Sequence, residues 1–227
     1  MYIENKFKHD LESYKGSRHG EMGQDLLALV LANYKTNGFF VEFGAFNGKS
    51  YSNTYILEKD YNWNGIVAEP GKVFHKELFE NRGVKIDTRA VTDVSGRYLT
   101  FKETNDHLGL SGIVEHVYNN GDMHVNTRKN SSGNTYLVET VSLNDLLREH
   151  QAPNFIDYLS LDTEGSEPLI LEAFDFSKYK IGYISVEHNY VDSARNKIYD
   201  ILTINGYQRI LTDMSKYDDW YVLKELL

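Results

Sequence analysis

The chain of 227 residues carries 24 Lys and Arg against 33 Asp and Glu, a formal net charge of -9, and that balance repels a phosphate backbone and excludes general nucleic-acid binding. Cysteine is absent, which removes disulfides, thiolate nucleophiles and Cys-based zinc sites. No apolar run approaches the roughly 18 residues of a membrane span, and Glu4, Lys6, Lys8, His9 and Asp10 interrupt any signal-peptide core, so a soluble, cytoplasmic protein is expected. Without a Pro/Gly/Ser-rich linker, the length fits one domain, 1–227, with its own core.

Residues 1–20 are polar, end in Gly16-Ser17-Arg18-His19-Gly20 and read as an N-terminal arm. From Gln24 to Tyr34, Leu26, Leu27, Val30 and Leu31 recur at helical spacing until Asn37-Gly38. The run Phe39-Phe40-Val41-Glu42-Phe43 then reads as a strand buried on both faces, followed by the turn Gly44-Ala45-Phe46-Asn47-Gly48. Glu42 stands near the strand's carboxyl end, where open α/β sheets bind ligands. Ser52 to Lys59 reads as the crossover helix, its N-terminus beside the glycine turn and suited to anionic ligand atoms.

Trp63-Asn64-Gly65-Ile66-Val67-Ala68-Glu69-Pro70 gives a second strand, also ending on an acid. A carboxylate there, about 20 residues past the glycine turn, is where Rossmann-like folds hold ribose hydroxyls. Val73 to Asn81 reads as a helix, Val84 to Val91 as a third strand and Tyr98 to Lys102 as a further extended piece. Glu103 to Thr135 is polar and glycine-rich, with His107, Gly109, Ser111, Gly112, His116, Asn119, Asn120, Gly121, His124 and Arg128. A stretch of this length is expected to be an insert over the site, closed by an edge strand Tyr136 to Val141.

Ser142 caps a helix Leu143 to Glu149, and Phe155 to Leu161 is a fourth buried strand. After it, Asp162-Thr163-Glu164-Gly165-Ser166-Glu167 packs three carboxylates before the helix Pro168 to Phe174. The fifth strand, Ile181 to Val186, leads into Glu187-His188-Asn189. Helix Ala194 to Asn205 precedes a strand pair, Tyr207 to Leu211 and Trp220 to Leu223. The order predicts a three-layer α/β fold, Rossmann-like, with a seven-stranded mostly parallel sheet and an antiparallel last strand.

The blocks Val41 to Gly48, Tyr51-Ser52-Asn53-Thr54, Trp63 to Pro70, Ser111-Gly112 and Leu161 to Glu167 together resemble the FkbM-type S-adenosylmethionine-dependent methyltransferases over about residues 20 to 190. The resemblance implies a class I methyltransferase fold and O-methylation of a sugar hydroxyl on a glycan or glycosylated metabolite. It implies that Glu42, Gly44, Ala45 and Gly48 form the pocket for the amino-acid end of S-adenosylmethionine, with Ser52 beside it. Glu69 would hold the ribose, next to Pro70, and Arg89, Ala90 and Val91 would flank the adenine. Ser111, Gly112 and His116 are the expected acceptor contacts.

Methyl transfer needs an aligned hydroxyl made nucleophilic, by a general base or by a divalent cation. Asp162, Glu164, Glu167, Glu187 and His188 converge at one sheet edge, and such donors suit Mg²⁺ or Mn²⁺. Resemblance to metal-dependent sugar O-methyltransferases implies Glu164, Glu187 and His188 as ligands and Glu167 as base. That pattern, however, has histidine where Glu167 stands and an acid where His188 stands. His188 as base without metal, and Asp162 as a catalytic or cofactor contact, stay open beside it. So does a purely structural use, with Glu167 capping the helix and Asp162 bonding backbone. Two other functions remain: a non-catalytic binding module, and an NAD-type oxidoreductase, which would carry a tighter Gly-x-Gly-x-x-Gly turn than Gly44 to Gly48.

Overall fold

The computed structural model describes residues 2–14, 16, 18–118 and 121–227. Ser17 of the expected arm and Asn119 and Asn120 of the expected insert lie outside the described residues. Along the chain run α1 (Tyr2–Ser13), α2 (Gln24–Leu31), β1 (Phe39–Phe43), α3 (Tyr55–Lys59), β2 (Asn64–Ala68), α4 (His75–Asn81), β3 (Lys85–Asp87), β4 (Ala90–Thr92), β5 (Tyr98–Thr104) and β6 (Gly112–Ile113). There follow α5 (Val114–Val117), α6 (Val125–Asn130), β7 (Gly133–Ser142), α7 (Leu143–Glu149), β8 (Phe155–Leu161), α8 (Glu167–Ala173), β9 (Lys180–Glu187), α9 (Asp192–Ile204), β10 (Tyr207–Ile210) and β11 (Asp218–Leu223).

Seven strands form the main sheet in the order β10-β11-β9-β8-β1-β2-β3. β1, β2, β3, β8 and β9 pair in parallel, and β11 lies antiparallel between β9 and β10. This is the expected class I arrangement, with the last strand inserted against the others. Alternation along each strand feeds two cores. Val41, Phe43, Leu159, Leu161 and Ile184 face Leu146, Ile170, Ile198 and Leu202. Phe40, Tyr158 and Tyr183 face Leu26, Ile56, Leu78 and, from α1, Phe7. Both faces of the sheet are therefore covered, which is why β1 and β8 read as near-continuous apolar runs. Strand order reverses between β1 and β8, so their carboxyl ends flank the crevice where such sheets bind ligands.

Five expectations change. The strand over Val84 to Val91 breaks, because Asp87 accepts from the Arg89 amide at 2.9 Å and turns the chain. β3 stays in the main sheet, while β4 joins a second sheet ordered β4-β7-β5-β6. β7 is consequently an inner strand, paired to β5 and β4, rather than the expected edge. The insert is structured, carrying β6, α5 and α6 over a small core of Ala90, Phe101, Ile113 and Val138. Helix α2 stops at Leu31 because Asn33 and Tyr34 adopt left-handed backbone, and α3 starts only at Tyr55 because Ser52 and Thr54 are committed to Glu42.

Candidate active site

At the end of β1 the chain turns through Gly44 at φ 70°. A Cβ there would stand 2.2 Å from the Asp162 carbonyl oxygen, so β1 and β8 approach this closely only with glycine. The turn is held from within. Ala45 N donates to Ala68 O at 3.2 Å and Gly48 N to Ala45 O at 2.8 Å, while Lys49 N and Ser50 N donate to Asn47 Oδ1. The Phe46 amide donates to Glu69 Oε2 at 2.9 Å and the Gly71 amide to Oε1 at 2.7 Å. Each Glu69 oxygen keeps acceptor capacity, and burial pushes this carboxyl up to about 7.

Glu42 has a different environment. Its carboxylate accepts from Ser52 Oγ, the Asn53 amide, Thr54 Oγ1 and Arg82 Nη1 at 2.6–3.1 Å. Arg82, fully buried in its side chain, also donates to Glu58. Glu42 borders the cavity, but its oxygens are engaged in pinning the glycine turn to the residues after α4. Ala45, Gly48 and Ser52 stand behind the cavity wall as parts of that framework. Arg89 reaches the cavity while bound to Asp87 and Glu149, and Pro70, Ala90 and Val91 line the same wall.

The acid-rich turn after β8 lies opposite. Glu164 is left-handed at φ 62° and Gly165 sits at φ 118°. Glu167 folds back on the turn, accepting from the Thr163 amide at 2.6 Å, Thr163 Oγ1 at 2.9 Å and the Gly165 amide at 3.0 Å. At the first position of α8 it holds the turn that precedes the helix, whose N-cap residue Ser166 makes no side-chain cap bond. Glu164 pairs with Arg128 of α6. Glu187 accepts from Asn189 Nδ2 at 2.7 Å. Burial, then the nearby Glu167 charge, pushes Asp162 up to about 7. Burial and the Asp162 charge raise Glu164 and Glu187 well above the usual carboxylate range.

One cavity of about 700 Å³ joins both regions, a size that suits a small-molecule site. Asp162, Glu164 and Glu187 line it, as do Ser111, Gly112, His107 and His124 of the insert. Phe46 and Phe74, with ring centroids 4.0 Å apart, wall the end of the cavity beside Glu69. Glu167, His188 and His116 are outside this lining. His188 is 4% exposed; its Nδ1 accepts from the Tyr190 amide at 3.0 Å and its Nε2 stands 3.8 Å from Asp219. Burial lowers its pKa. The expected metal set of Glu164, Glu187 and His188 is therefore dispersed, because Arg128 engages Glu164 and His188 turns toward Asp219. Among the described residues, ligand atoms of Asp162, Glu167 and Glu187 come within 4.8 Å of one another instead.

Two lining residues, Glu21 and Tyr217, carried no signal in the chain, while Tyr51 and Asn189 stood inside noted motifs without a site role of their own. Tyr217 donates to Glu21 across the mouth, joining the segment before α2 to the loop before β11. Beneath Asp162 a smaller polar recess of about 50 Å³ meets Gln24, Asn53, Ser160, Ser185 and Asp218. Burial pushes Asp218 up to about 8 although Gln24 Nε2 donates to it at 2.9 Å. Only the position of Asp218 on the inserted antiparallel strand brings it there.

Residues 42–209 match the Methyltransferase FkbM domain. No curated protein matches. Similar solved structures include methyltransferase FkbM from Methylobacillus flagellatus KT, at 15% identity and TM-score 0.48, covering 82% of this chain and 43% of that one. A precorrin-6y C5,15-methyltransferase from Geobacter metallireducens GS-15 is 10% identical with TM-score 0.46, over 87% of this chain and 85% of that one. A methyltransferase from Pyrococcus furiosus is 12% identical with TM-score 0.43, over 98% and 96%. The chain thus spans less than half the length of the Methylobacillus structure it matches. No helix among the described residues is long and apolar enough to cross a membrane. With the glycine turn, the acid ending β2 and the acid-rich turn after β8 all inside the matched segment, this chain belongs to the FkbM family of S-adenosylmethionine-dependent methyltransferases.

Proposed function

We propose that this domain methylates a sugar hydroxyl, with Asp162 as the general base. The observation that carries the reading is the single cavity running from the Gly44 and Glu69 end to Asp162, which brings a nucleoside pocket and an accessible carboxylate into one space. S-adenosylmethionine supplies an electrophilic methyl group on sulfur. Its fit is supported by Gly44, which lines the cavity at the end of β1, and by Glu69, whose remaining acceptor positions suit a ribose diol. Ala90, Val91 and Phe74 offer apolar surface for the adenine.

In the transfer, the acceptor oxygen forms a bond to the methyl carbon as the carbon–sulfur bond breaks, and the hydroxyl proton passes to Asp162. A carboxyl pushed to about 7 balances ionisation against basicity near neutral pH. The bonds held by Glu167 and the placement of His188 outside the cavity make both weaker candidates for this proton. A sugar acceptor is supported by the rim, where Tyr51 is 65% exposed and Tyr217, His107, His124 and Asn189 offer stacking surface and polar contacts.

A divalent cation is a second reading, favoured by the convergence of Asp162, Glu167 and Glu187. These hard oxygen donors suit Mg²⁺ or Mn²⁺, which would polarise the acceptor hydroxyl. The test is transfer of labelled methyl from S-adenosylmethionine to a panel of glycosides, with Mg²⁺, with Mn²⁺ and after exhaustive chelation. Transfer to a glycoside supports the reading, and activity that survives chelation removes the metal. Calorimetric binding of NAD in place of S-adenosylmethionine would overturn the methyl-transfer assignment for this chain.

A further inference from the structure

Arg128 belongs to the insert that the sequence marks as polar and surface-like, yet it is 0% exposed. Its guanidinium reaches three segments. Nε donates to the Leu110 carbonyl at 3.2 Å, Nη1 to Asp122 Oδ2 at 2.6 Å, and Nη2 to Glu164 Oε2. Leu110 and Glu164 both line the cavity, whereas Arg128 does not. Arg128 therefore stands behind the wall and ties its two halves together, the insert on one side and the end of β8 on the other. Packing tightens the same seam: a Cβ on Gly112 would lie 3.3 Å from Glu164 Cβ and 2.4 Å from Val117 Cγ1.

A buried guanidinium is costly unless its donors are well used, and a planar fork satisfies three acceptors that a lysine ammonium cannot match in geometry. Glu164 needs such a partner because Asp162 and Glu187 are its neighbours in charge, and Asn189 Nδ2, at 3.4 Å, is a weak donor to it. We propose that Arg128 is a positioning residue for the acceptor end of the cavity. It fixes Glu164 and the Leu108–Gly112 wall relative to each other, so that the acceptor enters in one orientation, and it does not touch the acceptor. The inference rests on the reading that the insert covers the acceptor.

The experiment compares the full chain with Arg128→Lys, Arg128→Ala and Arg128→Met. Hydrogen exchange over residues 107–113 and S-adenosylmethionine affinity are measured first, and neither needs an acceptor. Expected in all three variants is exchange faster by about tenfold over 107–113, with unchanged protection in β1, β8 and β9 and cofactor affinity within about threefold. Unchanged exchange at 107–113, or equal loss across the sheet, overturns the proposal, and Arg128→Lys decides the matter if the shorter variants do not fold.

With the best glycoside of the panel, KM should rise about tenfold while kcat stays within about threefold. Added guanidinium ion should lower KM again in Arg128→Ala but not in Arg128→Met, whose side chain fills the space. A loss confined to kcat overturns the positioning role. If the wild-type chain methylates no glycoside, the sugar assignment fails, while exchange and cofactor affinity still decide whether Arg128 holds the wall.

Discussion

The two ends of the cavity are built on opposite principles. At the proposed cofactor end, backbone amides and carboxylates satisfy one another: the Ala45 and Phe46 amides bond to Ala68 O and Glu69, the Gly48 amide to Ala45 O, and Glu42 is bonded by Ser52, Asn53, Thr54 and Arg82. At the acceptor end, Asp162, Glu164, Glu167 and Glu187 crowd together, and the buried cation facing them, Arg128, is committed to Glu164 and Asp122. The first arrangement makes a rigid receptacle. The second leaves carboxyls whose protons are held more tightly than in water, a condition suited to proton transfer. On the proposed reading, recognition and chemistry are separated along one cavity.

The largest expected effect lies at the chemical end. Asp162→Asn should lower turnover by about 10²- to 10⁴-fold while cofactor affinity changes by less than about threefold, as read by calorimetry beside the methyl-transfer assay. Equal loss of both would move Asp162 into the cofactor pocket. At the other end, Gly44→Ala should weaken cofactor binding by about 100-fold, because the new Cβ meets the Asp162 carbonyl at 2.2 Å and the backbone there is left-handed. Unchanged affinity would mean that the β1 and β8 ends can part without consequence.

Glu42 tests whether the cofactor end is framework or ligand. Glu42→Gln should cost about 3 kcal/mol in urea unfolding, since it weakens a buried ion pair with Arg82, with little change in cofactor affinity below the unfolding transition. Lost affinity at unchanged stability would make Glu42 a direct contact. Glu69→Gln should weaken binding by about tenfold. In the unaltered protein, hydroxyls donating to Glu69 favour its ionised form, so cofactor binding should release a proton and tighten as pH rises through about 7; the Gln variant should lose that dependence.

The smallest effect concerns the whole fold. Glu69 and Asp162, held near 7, and Asp218, near 8, keep protons that the unfolded chain gives up near pH 4. Their contribution is complete below the unfolded value and is lost as pH rises through the folded one. The ligand-free protein should therefore melt lower at pH 8 than at pH 5, as read in thermal scans. A cation bound by Asp162, Glu167 and Glu187 would narrow that gap, and Mg²⁺ or Mn²⁺ titrations would reveal it.

Much of this was legible in the chain. The periodicity of Phe39 to Phe43 and Phe155 to Leu161 fixed both central strands, because strands buried on two faces must be apolar throughout. Ser142 capped α7 as read, its hydroxyl accepting from the Asp145 amide at 3.2 Å. Strand ends were legible in part: of the five residues expected together at one sheet edge, Asp162, Glu164 and Glu187 line the cavity, whereas Glu167 and His188 do not. Side-chain direction was not. Glu164, Glu167 and His188 were expected to converge on one site, yet Glu167 folds onto its own turn, Glu164 pairs with the insert and His188 faces Asp219.

By itself, then, the sequence determined the central strands, the glycine turn and the family, because these depend on local apolar patterning and on residues that only one backbone conformation accepts. Tertiary structure alone decided that Arg128 is buried, that Asp218 lies beneath Asp162 and that β7 is an inner strand. Those outcomes depend on partners 36 or more residues apart for Arg128 and Glu164 and on strand pairings between distant segments. Long-range pairing of charges and strands leaves no periodic trace in the chain, and it is this pairing that sets the hydrogen-bonded glycine turn and the cluster of buried carboxyls at one cavity.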